Sequence, residues 1–300
     1  MTMPSARADA ELPNLQIVPT QSLLPHEKFD RQRSEPLVAR LRAEGVLKNP
    51  PIVAPIPGED LFVVLDGTNR AESLKAMACP HVVVQAVDYD DPRLILDTWF
   101  HVVSDMACDD LLDAVQSLDG LHLKPARLRH ARAELAHRQA AAYMLVPRAP
   151  AQRKGMRGRL ARHGRASVYL LHAEGDMYGQ TAALARLVEV YELRGRIHRV
   201  NSDQLESLLS LYENVAALVV FPQYTPSEIM ELARRGVYLP PGITRHVIPG
   251  RVLRLNFPLS VLADDRPLDE KNAWLQEWLR AKLANKEIRF YQESTYLFDE

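Results

Sequence analysis

Cysteine is nearly absent from this 300-residue chain, which holds only Cys79 and Cys108. They lie far apart with no C-x-x-C spacing, which argues against a disulfide framework and for reduced thiols in a cytosol. Net charge is nearly absent as well. Thirty-seven Lys and Arg against 38 Asp and Glu leave −1, so there is no bulk attraction to nucleic acid or to an anionic membrane. No run approaches the roughly 18 apolar residues of a membrane span, and the polar stretch Met1 to Pro13 lacks the apolar core of a signal peptide. The expectation is a soluble, cytoplasmic protein without a membrane partner. What is present is hydrophobic residues, 47% of the chain, enough for a sizeable core and for two domains.

The chain is organised around Leu61-Phe62-Val63-Val64-Leu65-Asp66-Gly67-Thr68-Asn69-Arg70. Leu61 to Leu65 read as a buried strand, Asp66-Gly67 as a turn, and Leu74 and Met77 as one face of a short helix. A strand, tight turn and helix start leave unpaired backbone N–H groups at Gly67, Thr68, Asn69 and Arg70. Such a start attracts phosphate, and an arginine adds a two-pronged donor. Asp66 beside it has the chemistry to hold a metal or to orient a substrate. Taken alone, an ordinary connection with Asp66 and Thr68 as caps explains the turn, because short polar motifs recur by chance.

Around the turn, Leu15 to Val18, Ile52 to Ala54 and Val82 to Val87 are strand candidates. A helix capped by Ser34, with Pro36 in its first turn, ends at Gly45. The result is a compact mixed sheet of about 80–90 residues, the size of one domain. Asp97 to His101 follows as a strand. Helices are expected over Ala107 to Leu118 and Pro125 to Ala142, and strands over Tyr143 to Val146 and Ser167 to His172. Between these strands Arg148 to Arg165 collects seven cations. A nucleic-acid grip is one reading. A solvated insertion is favoured, because the stretch lacks interleaved aromatics and any helix-turn-helix or zinc signature.

A second α/β unit follows. Leu184, Leu187, Val188 and Tyr191 form a helix stripe, Arg196 to Val200 a strand, and Ser202 caps a helix through Tyr212. Ala217 to Phe221 is a buried strand, and Thr225-Pro226-Ser227-Glu228 is a full helix-start signature. The loop Pro240 to Arg251 crowds Thr244, Arg245, His246 and Arg251 before a strand-like Val252 to Phe257, a chemistry suited to a carboxylate or a phosphate monoester. A basic surface loop explains it equally. Asp269 to Asn285 is the last helix.

These stretches together, LLPHE, EGVLKNPPIV, VVLDGTNRAESLKAM and VVVQAVDY, resemble the ParB/sulfiredoxin fold, and within it the free L-serine kinases. The resemblance runs from about residue 14 to the end. It implies an α+β protein with a ParB/sulfiredoxin-like nucleotide-binding domain over 14–106 and a second α/β domain over 107–300 that contributes the serine pocket. The turn resembles the kinases' Asp-Gly-His-His-Arg, with both histidines replaced. A sulfiredoxin-like repair activity fails at position 68, because Thr68 cannot replace a thiolate.

The activity the resemblance implies is transfer of a phosphoryl group from ATP or ADP, with Mg²⁺, to L-serine, supplying siderophore diaminopropionate or cysteine synthesis. It makes Glu27 the general base and Asp66 the second catalytic acid and metal ligand. Gly67, Thr68, Asn69 and Arg70 take the nucleotide, and Trp99, His101, Thr244, Arg245, His246 and Arg251 take the serine. From the residues alone, Trp99 is a core aromatic, His101 a hydrogen-bonded histidine and Glu27 a solvated acid. The alternative function is a ParB-like DNA-binding regulator without kinase activity.

Overall fold

The computed structural model describes residues 12–29, 31–148 and 166–291. Contacts divide the chain into two units: one of residues up to Leu24, Phe29–Leu94 and from Ile248 onward, the other of Pro25–Lys28 and Ile95–Val247. This division departs from the linear boundary expected at residue 106. The end of the chain supplies part of the first unit's core, and no local pattern reports such a return.

The first unit opens with β1 (Leu15–Pro19), β2 (Leu23–Pro25), α1 (Arg31–Glu44), β3 (Val46–Leu47), β4 (Ile52–Pro55), β5 (Phe62–Asp66), α2 (Thr68–Ala76) and β6 (His81–Ala86). Its five-stranded sheet has the order β1-β6-β4-β5-β2. β6 lies antiparallel to β1 and parallel to β4, which is antiparallel to β5. Val53, Val63, Val64, Val82, Val83 and Val84 are all fully buried, as expected of central strands covered on both faces. The helix at Ser34 begins earlier than expected, at Arg31, and carries Pro36 inside it.

The second unit runs through β7 (Ile95–Thr98), β8 (Phe100–Ser104), α3 (Cys108–Gln116), β9 (Leu121–Ala126), α4 (Leu128–Ala136), β10 (Ala142–Pro147), β11 (Ala166–Ala173), α5 (Met177–Glu192), β12 (Arg196–Val200), α6 (Leu205–Leu208), β13 (Val215–Val220), α7 (Pro226–Arg234) and β14 (Thr244–Val247). Six strands form an antiparallel sheet in the order β12-β8-β13-β10-β11-β9. β7 and β14 make a separate two-stranded ribbon. Val102, Tyr143, Leu145, Leu170, Leu218 and Val220 build the core. The Thr225 start forms the expected reciprocal capping box with Glu228.

Further elements differ from expectation: the helix expected from a Ser202 cap through Tyr212 is only the four-residue α6, with Gln204 at its N-cap and no side-chain cap bond. The helix over Pro125–Ala142 is a shorter α4, preceded by an edge strand that contains Pro125. The expected strand from Asp97 to His101 is two strands meeting at Trp99. Val252 to Phe257 is extended only at its end, because Arg254 and Asn256 take positive φ of 54° and 51°. The basic segment falls at 149–165, outside the described residues apart from Arg148, whose Nε donates to Ser167 Oγ.

The chain then returns to the first unit with β15 (Phe257–Pro258), α8 (Leu259–Ala263) and α9 (Leu268–Ala284). β15 pairs with β3. Phe257 is buried against Trp274 and Trp278 with ring centroids 5.7 and 5.6 Å away. Asn272 of α9 closes the exposed edge of β1: its Oδ1 accepts from the Ile17 N–H at 2.8 Å, and its Nδ2 donates to the Ile17 carbonyl at 2.9 Å. Lys271 is fully buried. Its ammonium donates to the carbonyls of Leu262 and Asp264 and to Nδ1 of His81, and lies 3.2 Å from the Asp264 carboxylate. Burial and that ammonium together lower the His81 pKa. Among the described residues no helix is long and apolar enough to cross a membrane.

Candidate functional site

The residues singled out in sequence fall into two clusters, one in each unit. In the first unit the apolar strand β5 ends at Asp66, and Gly67 turns the chain with φ +94° into α2, whose start carries no side-chain cap. A Cβ on Gly67 would fall 2.6 Å from Nη2 of Arg70, so only glycine lets that guanidinium fold back over the turn. There Arg70 donates to Asp66 Oδ2 at 2.9 Å, and Arg251 donates to the same oxygen at 2.7 Å. Burial pushes the Asp66 carboxyl up, but the two guanidiniums outweigh it and hold the pKa below its ordinary value. The resemblance assigned Arg251 to serine beside Thr244, whereas the structure pairs it with the turn.

This turn fits an anion. Arg70 Nε is buried without a hydrogen-bond partner, beside a helix start with no side-chain cap, the kind of start that attracts phosphate. Asp66 Oδ2 is already shared by two cations, and among the described residues no group of three or more His, Cys, Asp or Glu side chains could hold a metal.

In the second unit Pro25–Lys28 docks beside Leu239: Lys28 N–H donates to its carbonyl at 2.9 Å, and its N–H donates to the His26 carbonyl at 2.8 Å. This presents Glu27, 17% exposed, to the segment Gly242-Ile243-Thr244. The Gly242 N–H donates to Oε2 at 3.0 Å, and the Thr244 N–H to Oε1 at 3.0 Å. The Thr244 hydroxyl also donates to Oε1. That hydroxyl must then accept from His26 Nε2 at 2.8 Å, which places the His26 proton on Nε2. Three donors therefore fix the carboxylate. Oε1 has both its lone pairs taken, while Oε2 keeps one for a ligand.

Next along β14, Arg245 lies over the Trp99 ring at 4.6 Å and meets Asp97 at 3.3 Å. His246 is buried edge-on to His26, with ring centroids 5.5 Å apart. Gly242 has φ +74°, and a Cβ there would strike the Arg199 guanidinium at 2.0 Å.

His101, expected among the substrate residues, sits in the core. The residue is fully buried, edge-on to Phe221 and Tyr191, with both ring nitrogens bonded inside the protein. β8 points it into the core because it precedes Val102 and Val103 in a central strand. Sequence reasoning missed His26, Gly242 and Tyr191 as site residues. His26 was visible as the neighbour of Glu27 in the LLPHE stretch, whereas Tyr191 carried no signal beyond its place in a helix stripe.

No family model matches the chain. It is 25% identical over 291 residues to the ATP-dependent L-serine kinase SbnI of Staphylococcus aureus, across 96% of this chain and 98% of that protein. It is 23% identical over 248 residues to an ATP-dependent L-serine kinase of Staphylothermus marinus, across 82% of this chain and 90% of that protein. A solved free serine kinase in complex with AMP superposes with a TM-score of 0.69 at 16% identity, covering 86% of this chain and 98% of that one. The mixed α/β chain thus has the fold of the free serine kinases and resembles L-serine kinases in sequence over most of its length.

Proposed function

We propose that the protein is a free L-serine kinase that moves a phosphoryl group from ATP or ADP to the hydroxyl of L-serine, giving O-phospho-L-serine. The observation that carries this reading is the Glu27 carboxylate, locked by three donors with one Oε2 lone pair left over. A base in phosphoryl transfer has one task, to accept the hydroxyl proton as the oxygen attacks phosphorus. The O–P bond forms, the bond to the leaving nucleotide breaks, and the proton goes to Oε2. Positioning and charge neutralisation do the rest.

The first unit, read as the ParB/sulfiredoxin-like module, holds the nucleotide's phosphates at Gly67, Thr68, Asn69 and Arg70, with Arg251 as a further donor. Asp66 keeps the two guanidiniums side by side rather than ligating metal. A magnesium ion enters as part of the nucleotide substrate, bound to its phosphates. In the second unit Thr244, Arg245, His246 and the Trp99 ring take the amino acid.

The direct test is incubation with L-serine, Mg²⁺ and ATP or ADP, followed by phosphorus NMR for O-phosphoserine. Formation with one nucleotide and loss in Glu27→Gln supports the reading. Nucleotide binding without any phosphoserine overturns it.

A further inference from the structure

The segment that grips Glu27 is itself held from behind. The N–H groups of Gly242 and Thr244 face the carboxylate. The carbonyls between them face the other way: Ile243 O accepts from the Trp99 N–H at 2.8 Å, and Gly242 O accepts from His101 Nε2 at 3.2 Å. A carbonyl only accepts, so the His101 proton is on Nε2. Nδ1 must then accept from the Tyr191 hydroxyl at 2.9 Å. The line of donors runs from Tyr191 O–H to His101 Nδ1, and from His101 Nε2–H to the Gly242 carbonyl.

We infer that His101 is a positioning residue, which with Tyr191 sets the orientation of the Gly242–Ile243 peptide and through it the aim of Glu27. This rests on the kinase reading for its consequence but not for its geometry. Glycine needs such a partner here, because without a Cβ the residue accepts either orientation of the peptide that follows it. Local sterics do not decide which way the Gly242 carbonyl points. The buried imidazole does, and burial also keeps it from touching substrate. It is held neutral, with a pKa lowered to about 4, first by burial and then by Arg199, against the opposing pull of the Gly242 carbonyl. The hydrogen-bond order therefore persists across the neutral range.

The test compares His101→Phe, which keeps an aromatic ring and removes the donor, with His101→Gln, whose amide can still donate to the Gly242 carbonyl. For His101→Phe, kcat is expected to fall on the order of 10–100-fold with KM for serine and nucleotide unchanged, the signature of a misaimed base. His101→Gln should restore most of the rate. A rise in serine KM in both variants with kcat intact would overturn the inference and make His101 a substrate contact.

Selective glycine ¹⁵N labelling gives a readout independent of turnover. The Gly242 amide proton, recognised by its displacement in Glu27→Gln, should move upfield in His101→Phe and return in His101→Gln. An unmoved resonance in His101→Phe overturns the positioning role, and a moved one upholds it even if the wild type makes no phosphoserine. If His101→Phe does not fold, Tyr191→Phe carries the same two measurements by removing only the hydroxyl that fixes the tautomer.

Discussion

Glu27→Gln is usually chosen because it preserves shape, but at this site shape is not the whole perturbation. Both carboxylate oxygens accept from backbone, Oε2 from Gly242 and Oε1 from Thr244. A glutamine has one oxygen and one NH₂ group, so either orientation sets a donor against a backbone N–H. The Thr244 hydroxyl can rotate to accept, but an N–H cannot. One hydrogen bond to a charged acceptor is lost, at about 1.5–3 kcal/mol. For a unit of this size that is a melting shift of roughly 3–12 °C. The rate change is separate, about 10²–10⁴-fold in kcat, from loss of the base. Calorimetry and a phosphoserine assay on one preparation read both, with nucleotide affinity unchanged as control. Wild-type turnover would remove Glu27 as the base, and an unmoved melting point would refute the three-donor grip.

Three further outcomes are expected. Arg251→Ala should raise KM for the nucleotide about ten- to a hundred-fold, one charge-assisted bond, and leave serine KM in place; the reverse pattern in steady-state kinetics would return Arg251 to the amino acid. Lys271→Met should orphan the buried Leu262 carbonyl and the half-buried Asp264 carbonyl and cost roughly 1–3 kcal/mol, read as a lower urea midpoint, and an unchanged midpoint would refute the cage. His101 binds its proton in the unfolded chain near the ordinary 6.5 but in the fold only near 4. Its contribution is therefore whole above pH 6.5 and lost as pH falls toward 4, roughly 3 kcal/mol. The stability gap between wild type and His101→Phe should close over that range, and a pH-independent gap would refute it.

The parts legible in sequence are those whose signals are local. A β-branched run stopped by Asp66-Gly67 announced β5 and the start of α2, and Thr225 with Glu228 announced α7. The edge strand β9 was hidden because Pro125 and alternating charges look like a helix start, while an edge position tolerates both. Trp99 and His101 share one parity in sequence, yet the break at Trp99 puts the ring under Arg245 and the imidazole in the core. The site itself is non-local. Glu27 meets its donors 215 and 217 positions away, and Asp66 meets Arg251 across 185, distances that no periodicity reports. Only the resemblance placed Glu27 among functional residues, and it did not foresee that Thr244 would hold that carboxylate.

The clasp between Asn272 and Ile17, 255 positions apart, sets a timetable for the newborn chain. β1 leaves the ribosome long before α9 does, and its edge has no partner until α9 is made. At about 5–20 residues per second, the residues from Ile248 to α9 alone take on the order of 2–8 s. By then the long insert from Ile95 to Val247 has emerged whole, while the earlier unit still waits for a wall. A message cut short just after Val247 would therefore not yield a protein missing a tail. It would yield a chain with an open N-terminal sheet, Leu15 and Ile17 sharing its unfinished side, a species for chaperones and proteases rather than for catalysis.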